Sequence, residues 1–173
     1  LSRDGKRDWR ERLKIGISSR SANIFVSSAI AREVKVQGVI IPKPYWVSYI
    51  EIVKLAEGKP VFIPSTIETN FKISPAQLEK AITPRTRLFM FSSPCNPTGT
   101  VYTREELAAL AKVFEKYPQV SILSDEIYEH INYIGRHESI AQFASIRDRV
   151  IVVNGVSKSF AMTGWRIGFS AST

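Results

Sequence analysis

Four side chains with reactive or strongly binding groups stand just after apolar segments of this 173-residue chain. Lys158 follows the apolar run that begins at Val150, and Asp125 ends another run, in SDEIY. Asn96 lies in the turn sequence NPTG, and Arg166 lies in GWRIG. Brought together, an amine, a carboxylate, an amide and a guanidinium can bind a charged organic molecule and form a bond to its carbonyl group.

Lys158 and Asp125 each have two interpretations. Taken alone, Lys158 is best read as a surface lysine after a strand. In a partly desolvated pocket, however, a lysine amine becomes a nucleophile that forms a Schiff base with a carbonyl cofactor. Asp125 can cap a helix, or it can lie buried against a cationic ring nitrogen, since a carboxylate buried without a partner is costly.

The other candidates also have ordinary alternatives. Tyr128 can donate a hydrogen bond to a phenolate oxygen or be a half-buried tyrosine, and Asn96 also fits a β-turn. Trp46, in PYW, can belong to the core or stack on a planar ligand. Arg166 suits a phosphate group because its planar fork presents parallel donors, and it is otherwise a surface arginine.

Apolar segments alternate with helical patterns from residue 39 onward. Strands are predicted over residues 38–42, 59–64, 86–92, 120–124 and 150–153. Helices are predicted over 46–57, from 75, over 103–117 and, as a short piece, around 139–145. This alternation predicts an α/β fold, a mostly parallel sheet with helices on both faces. Ligands of such sheets bind beyond the carboxyl ends of the strands, where the candidate residues are expected to meet.

Local signals fix some helix ends. Capping boxes pair Ser74 with Gln77 and Thr103 with Glu106 at the starts of the second and third helices. The helix over 46–57 is expected to bury Val47, Ile50 and Val53 on one face and to stop at Gly58.

The composition is typical of a globular domain, with 44% hydrophobic and 23% charged residues. The single cysteine, Cys95, allows no internal disulfide, which favours a cytoplasmic setting. Neither histidine, His130 or His137, has a cysteine nearby, so no metal site is expected. No apolar run reaches the roughly 18 residues of a membrane span, so no membrane partner is expected.

The formal net charge of +8 is concentrated near the start of the chain. Residues 1–38 hold nine Lys and Arg against four acidic residues. We interpret them as an irregular, basic N-terminal segment, with a strand predicted over 23–28 and a helix start over 29–36. A basic segment of this kind is usually a solvated face or a mobile arm, and no aromatic platform is interleaved with it, so nucleic acid is not expected as a partner.

The motifs together resemble the class I aminotransferases, which are fold-type I pyridoxal-phosphate enzymes. The segment GVSKSFAMTGWRIG over 155–168 resembles the family's lysine motif, and NPTG over 96–99 and SDEIY over 124–128 resemble its other two signatures. PYW over 44–46 resembles the segment whose tryptophan lies against the cofactor. The likeness is greatest to bacterial aspartate aminotransferases, and it implies that residues 39–173 are a partial large domain without the small domain.

The resemblance also implies a reaction. Lys158 would bind pyridoxal 5′-phosphate covalently and later move a proton between the substrate Cα and the cofactor. Asp125 would pair with the pyridinium nitrogen and keep the ring able to accept electrons. The protein would transfer an amino group from an amino acid, with aspartate expected, to a 2-oxo acid such as 2-oxoglutarate, and it would act as a homodimer.

The remaining cofactor contacts follow from the same resemblance. Tyr128 and Asn96 would hydrogen-bond the ring oxygen O3′, Ser157 and Arg166 would contact the phosphate, and Trp46 would lie against the ring. A pyridoxal-phosphate lyase of the same fold, of the C–S lyase or aminocyclopropane-carboxylate synthase type, has similar motifs. An inactive fragment and a basic domain that binds an anionic partner are further alternatives.

The sequence departs from the family pattern in two places. The counterpart of the phosphate-binding turn, SSAI over 27–30, has no glycine and lies closer to Pro44 than the family spacing allows. The family's substrate-carboxylate arginine belongs to the part that follows the lysine motif, and no residue up to Thr173 corresponds to it. We therefore expect this chain to be incomplete for activity.

Overall fold

The computed structural model describes residues 38–172 and the backbone of residues 14–18. The strand predicted over 23–28, the helix start over 29–36 and the phosphate-turn counterpart over 27–30 lie outside the described residues. Among the described residues, none of the helices has the length and apolar character needed to cross a membrane.

The described strands form one mixed sheet. They are β1 (Lys14–Ser18), β2 (Gly38–Pro42), β3 (Lys59–Ile63), β4 (Thr86–Ser92), β5 (Ser121–Asp125), β6 (Val150–Gly155) and β7 (Gly168–Ser172). Their order is β1-β7-β6-β5-β4-β2-β3. The five strands from β2 to β6 pair in parallel, while β7 pairs antiparallel with both β6 and β1. The predicted α/β fold with a mostly parallel sheet is confirmed.

Three α-helices connect the parallel strands. They are α1 (Ser48–Leu55), α2 (Pro75–Ala81) and α3 (Arg104–Glu115), and short 3₁₀ turns lie at Ile67–Thr69, Ile140–Gln142, Arg147–Arg149 and Thr163–Trp165. Both predicted capping boxes are confirmed, with Ser74 and Thr103 accepting from the backbone N–H groups of Gln77 and Glu106 at 3.2 Å each. The short helix predicted around 139–145 is only the 3₁₀ turn at Ile140–Gln142.

The core lies on both faces of the sheet, because successive residues of the central strands point to opposite sides. Phe89 of β4 packs with α2 and α3 in one cluster. Its neighbours Leu88 and Met90 pack with Tyr49 and Val53 of α1 in the other. Helices on both faces, as predicted, therefore hold the ends of β4, β5 and β6 in fixed positions.

The predicted buried face of α1 is wrong in part. Val47 precedes the helix and is 74% exposed, whereas Tyr49 and Val53 are buried together with Ile52. The helix also ends earlier than predicted, because Glu57 adopts a positive φ of 59° before Gly58 is reached. The spacing of aliphatic residues predicted the wrong face of α1 because Tyr49 was not counted among the apolar residues.

Strands β1 and β7 were not predicted. Residues 14–18 fall in the segment that the sequence left without a fold, yet β1 pairs with β7 along its whole length. Strand β7 lies within and beyond the lysine motif, so residues 156–167 connect two antiparallel strands, β6 and β7. We call these residues the lysine turn.

Candidate functional site

A cavity of about 310 Å³ lies at the carboxyl ends of β4, β5 and β6. The last residues of these strands, Ser92, Asp125 and Gly155, all line it. The structure brings all seven predicted site residues to this cavity: Trp46, Asn96, Asp125, Tyr128, Ser157, Lys158 and Arg166. Residues from four separate segments of the sequence therefore meet where ligands bind in parallel sheets.

Asp125 forms the deep part of the wall and is 4% exposed. Its Oδ2 accepts a hydrogen bond from the Tyr49 hydroxyl at 2.8 Å, and its Oδ1 accepts one from the backbone N–H of Ile127 at 3.2 Å. Hydrogen bonds from both sides offset the unfavourable burial of a carboxylate. The contact with Ile127 also shows that Asp125 caps the turn after β5 rather than a helix.

Tyr49 is one of the cavity residues that sequence reasoning missed, as are Ser92, Asn154 and Thr163. It lies on α1 one turn after Trp46, and the two rings meet edge to face with centroids 5.7 Å apart. Burial, and then the negative charge of Asp125, raise the pKa of Tyr49 well above its ordinary value. The hydroxyl therefore stays protonated and acts as a donor. A tyrosine three residues after the tryptophan on a helix was the available signal, because residues at this spacing share a face.

Asn96, Tyr128 and Lys158 approach one another across the cavity. The Asn96 side-chain amide donates to the Tyr128 hydroxyl at 3.5 Å. The Lys158 ammonium nitrogen lies 5.9 Å from the centre of the Tyr128 ring. The turn after β4, the segment after β5 and the lysine turn thus place an amide, a phenol and an amine around one space.

The lysine turn is tied by its own backbone. Val156 donates to the carbonyl of Ile167 at 3.3 Å across its base, and the Thr163 hydroxyl donates to the carbonyl of Ser157 at 2.9 Å. Arg166 has a left-handed backbone, with φ of 55°, and its guanidinium donates to the Thr163 carbonyl at 2.8 Å. These bonds shape the turn, in which Lys158 is exposed and lines the cavity.

Asn154 joins the lysine turn to the segment that carries Tyr128. Its amide nitrogen donates to a carboxylate oxygen of Glu129 at 2.7 Å, and its carbonyl oxygen accepts from the backbone N–H of Gly155 at 2.7 Å. Gly155 pairs with Gly168 at the base of the turn. A Cβ at Gly155 would lie 3.0 Å from the carbonyl oxygen of Ile167, so the close approach of the two strands requires glycine there.

Behind Asp125, a second carboxylate is buried in a hydrogen-bonded network. Glu126 accepts from the hydroxyls of Ser124 at 2.9 Å and Ser139 at 2.6 Å, and its other oxygen lies 2.8 Å from His137 Nε2. Glu129 contributes a further oxygen to the same group. These contacts account for the burial of Glu126 and fix the backbone next to Asp125.

Known proteins resemble this chain in sequence. The family model of aminotransferase class I and II matches residues 9–173. An aspartate/prephenate aminotransferase of Nitrosomonas europaea is 52% identical over 90% of this chain and 40% of that protein. An aspartate aminotransferase of Bacillus subtilis is 53% identical over 78% of this chain and 35% of that protein. The chain thus spans about two fifths of the length of the curated relatives it matches.

Solved structures resemble it in fold. An aspartate aminotransferase from Rhizobium meliloti superposes with a TM-score of 0.85 at 41% identity, over 91% of this chain and 40% of that one. An aromatic aminotransferase from Pyrococcus horikoshii superposes with a TM-score of 0.85 at 40% identity, over 94% of this chain and 43% of that one. The family match covers nearly the whole sequence, so the chain belongs to the class I and II aminotransferases, a family that uses pyridoxal phosphate.

Proposed function

We propose that the protein is a pyridoxal-phosphate-dependent aminotransferase of the aspartate aminotransferase type. It would transfer the amino group of aspartate to a 2-oxo acid such as 2-oxoglutarate. The single observation that carries this proposal is that the buried carboxylate of Asp125 and the exposed amine of Lys158 line one cavity at the strand ends. The names of the curated relatives support aspartate as the donor.

The groups around the cavity fit pyridoxal phosphate in kind. Asp125 offers a fixed negative charge to a cationic ring nitrogen, and Tyr128 and Asn96 offer a hydroxyl and an amide to the ring oxygen. Ser157 and Arg166, which also line the cavity, offer a hydroxyl and a guanidinium to a phosphate group. The cofactor's charges are thus matched by groups of opposite sign or by hydrogen-bond donors.

When bound, pyridoxal phosphate supplies an aromatic ring that accepts the electron pair left at the substrate Cα when a proton departs. Lys158 would hold the cofactor covalently through its amine, and it would then carry that proton. Lys158 is exposed and lines the cavity, so its amine is accessible to a ligand there.

The other residues would bind and orient. Asp125 would keep the ring nitrogen protonated because its charge is fixed in a buried position. Trp46, held at its edge by Tyr49, would pack against the ring and exclude water. Arg166 would anchor the phosphate and so keep the cofactor in place while the bond to Lys158 is broken.

Several features of the whole protein remain proposals. We propose that residues 39–173 belong to the large, cofactor-binding domain, and that the arginine for the substrate carboxylate lies in a part of the protein outside this chain. The homodimer is predicted from the family resemblance, and the cytoplasmic location is predicted from the single cysteine.

The test is cofactor binding by the full-length protein. Adding pyridoxal phosphate is expected to produce an absorbance band near the visible edge, and borohydride reduction is expected to leave the cofactor on the peptide that contains Lys158. The variant Lys158→Ala should lose both. The matched control is Lys54→Ala, because Lys54 is a surface lysine of α1, with a side chain 57% exposed, and this variant should keep both.

The reaction is tested with aspartate and 2-oxoglutarate. Formation of glutamate supports amino transfer. Release of pyruvate and ammonia from a sulfur amino acid, without glutamate formation, would instead favour the lyase. A full-length protein with no absorbance band on addition of pyridoxal phosphate would contradict the proposed function as a whole.

A further inference from the structure

Tyr49 contacts two residues of the cavity that carry proposed roles of their own. Its hydroxyl donates to Asp125 at 2.8 Å, and its ring meets that of Trp46 edge to face, at an interplanar angle of 88°. It is 2% exposed and part of the cavity wall. One side chain therefore links the carboxylate proposed for the ring nitrogen to the indole proposed for the ring face.

The hydrogen bonds that Asp125 accepts from Tyr49 and from Ile127 differ in origin. The bond from the Ile127 N–H is local, because it joins residues two positions apart in the turn after β5. The bond from Tyr49 comes from α1, which packs on one face of the sheet, 76 positions away in the sequence. The second bond fixes Asp125 relative to α1, the helix whose Tyr49 ring also contacts Trp46.

We propose that Tyr49 is a positioning residue, whose hydroxyl keeps Asp125 charged and aimed at the cationic ring nitrogen of the cofactor. This inference rests on the proposed function, because it assumes a ligand with such a nitrogen in the cavity. A hydrogen bond to the charged form of a carboxylate favours that form. Removal of the hydroxyl therefore weakens the pairing of Asp125 with a cation and leaves the shape of the cavity unchanged.

The Tyr49 hydroxyl can do this over a wide pH range. Burial, reinforced by the nearby Asp125 charge, raises the pKa of Tyr49 well above its ordinary value. The hydroxyl thus remains a donor wherever Asp125 is ionised. Tyr102 is a buried tyrosine that can serve for comparison. Its hydroxyl oxygen accepts a hydrogen bond from the backbone N–H of Ile73 at 3.0 Å, away from Asp125.

The experiment compares two ligands in the full-length protein. One is pyridoxal phosphate, and the other is its carbon analogue with CH in place of the ring nitrogen. Tyr49→Phe is expected to weaken pyridoxal phosphate binding by about ten-fold, as for loss of a hydrogen bond to a charged group. It is expected to leave the binding of the carbon analogue unchanged or stronger, because that ligand has no nitrogen for Asp125 to pair with.

Two further variants separate positioning from stability. Tyr102→Phe removes a buried hydroxyl outside the cavity and should leave the ratio of the two affinities at the wild-type value. Asp125→Asn should lower the ratio of the affinity for pyridoxal phosphate to the affinity for the carbon analogue. The double variant with Asp125→Asn and Tyr49→Phe should have the same ratio as Asp125→Asn alone. In turnover with aspartate, Tyr49→Phe should reduce kcat by about ten-fold and change KM less, since the hydroxyl acts on the cofactor side.

The outcomes that overturn the inference are specific. If Tyr49→Phe weakens both ligands equally, Tyr49 has a structural role only. If it changes neither, the hydrogen bond to Asp125 has no effect on the ligand. If the wild-type protein binds neither ligand, the proposed function has failed and this inference fails with it, whereas normal wild-type binding with an unchanged ratio refutes this inference alone.

Discussion

Asp125 and Lys158 line the same cavity, but the fold holds them in different ways. Asp125 ends a central parallel strand, is almost completely buried, and is held by Tyr49 from α1 and by the turn after β5. Lys158 lies in the lysine turn, between two antiparallel strands, and its side chain is exposed. Beside it, Phe160 and Trp165 are 60% and 67% exposed.

The difference agrees with the roles proposed for the two groups. A charge that stabilises another charge is most effective when it is fixed and shielded from water before the ligand arrives. A nucleophile that forms and breaks a bond needs freedom to move and access to the ligand. Substitutions on the Asp125 side should therefore change both stability and function, whereas those at the tip of the lysine turn should change function alone.

The largest difference is expected between Asp125→Ala and Lys158→Ala. Asp125→Ala leaves the buried Tyr49 hydroxyl and Ile127 N–H without this partner, and each such group costs about 1–3 kcal/mol. It should also reduce kcat/KM by about a thousand-fold, as for other fixed electrostatic groups in active sites. Lys158→Ala should abolish covalent cofactor binding yet change stability by less than about 0.5 kcal/mol.

Denaturant unfolding of both variants of the full-length protein, without added cofactor, measures the stability part. Cofactor absorbance and turnover measure the functional part. If the two variants lose the same free energy of unfolding, Lys158 contributes to stability as much as Asp125 does. The proposed difference between the lysine turn and the Asp125 side would then be wrong.

The sequence predicted the parts of this arrangement that depend on local patterns. Asp125 and Asn96 could be placed at strand ends because the alternation of strands and helices was regular, and the parallel sheet then put those ends together. The capping box at Thr103 could be predicted because its donors and acceptors lie within three residues. The motifs themselves then identified which strand-end residues to join into one site.

The rest depended on contacts between distant residues. Tyr49 could not be connected with Asp125 because its partner lies 76 positions away, and the apolar spacing of α1 pointed to Val47 instead. The pairing of β1 with β7 joins residues that are 150 or more positions apart in the chain. Strand β7 also pairs with β6, so residues 156–167, read as a polar turn after a strand, connect two antiparallel strands.

The base of the lysine turn offers a second, smaller test. In Gly155→Ala, the new Cβ would lie 3.0 Å from the Ile167 carbonyl oxygen and 3.2 Å from the Gly168 Cα, both of them backbone atoms. The paired strands must then move apart, which should cost about 1–3 kcal/mol, as for other overpacked sites. Cofactor affinity should fall as well, because the turn that carries Lys158 begins here.

Gly164→Ala is the matched control for Gly155→Ala. A Cβ at Gly164 meets nothing within 4 Å, so this substitution at the open tip should change the free energy of unfolding by less than about 0.5 kcal/mol. Thermal or denaturant unfolding of both variants distinguishes a tight base from an open tip. A larger loss of unfolding free energy in Gly164→Ala than in Gly155→Ala would show that the tip of the turn is packed and its base is open.

The smallest expected effect appears only at high pH and concerns the buried tyrosines. Burial raises the pKa of Tyr102 to about 12 and that of Tyr49 well above its ordinary value near 10. Between about pH 10 and 12 the unfolded chain therefore loses these protons while the folded chain keeps them, so stability falls as the pH rises. Each tyrosine contributes a slope of about 1.4 kcal/mol per pH unit in this window.

Denaturant unfolding at a series of pH values measures that slope. Tyr102→Phe and Tyr49→Phe should each reduce this slope by the contribution of one tyrosine, because phenylalanine has no hydroxyl proton to lose. Tyr133→Phe is the control, since Tyr133 is 91% exposed and should leave the slope unchanged. If Tyr49→Phe leaves the slope as it was, the Tyr49 hydroxyl reaches water in the folded protein, and the Asp125 side of the cavity is less closed than its hydrogen bonds indicate.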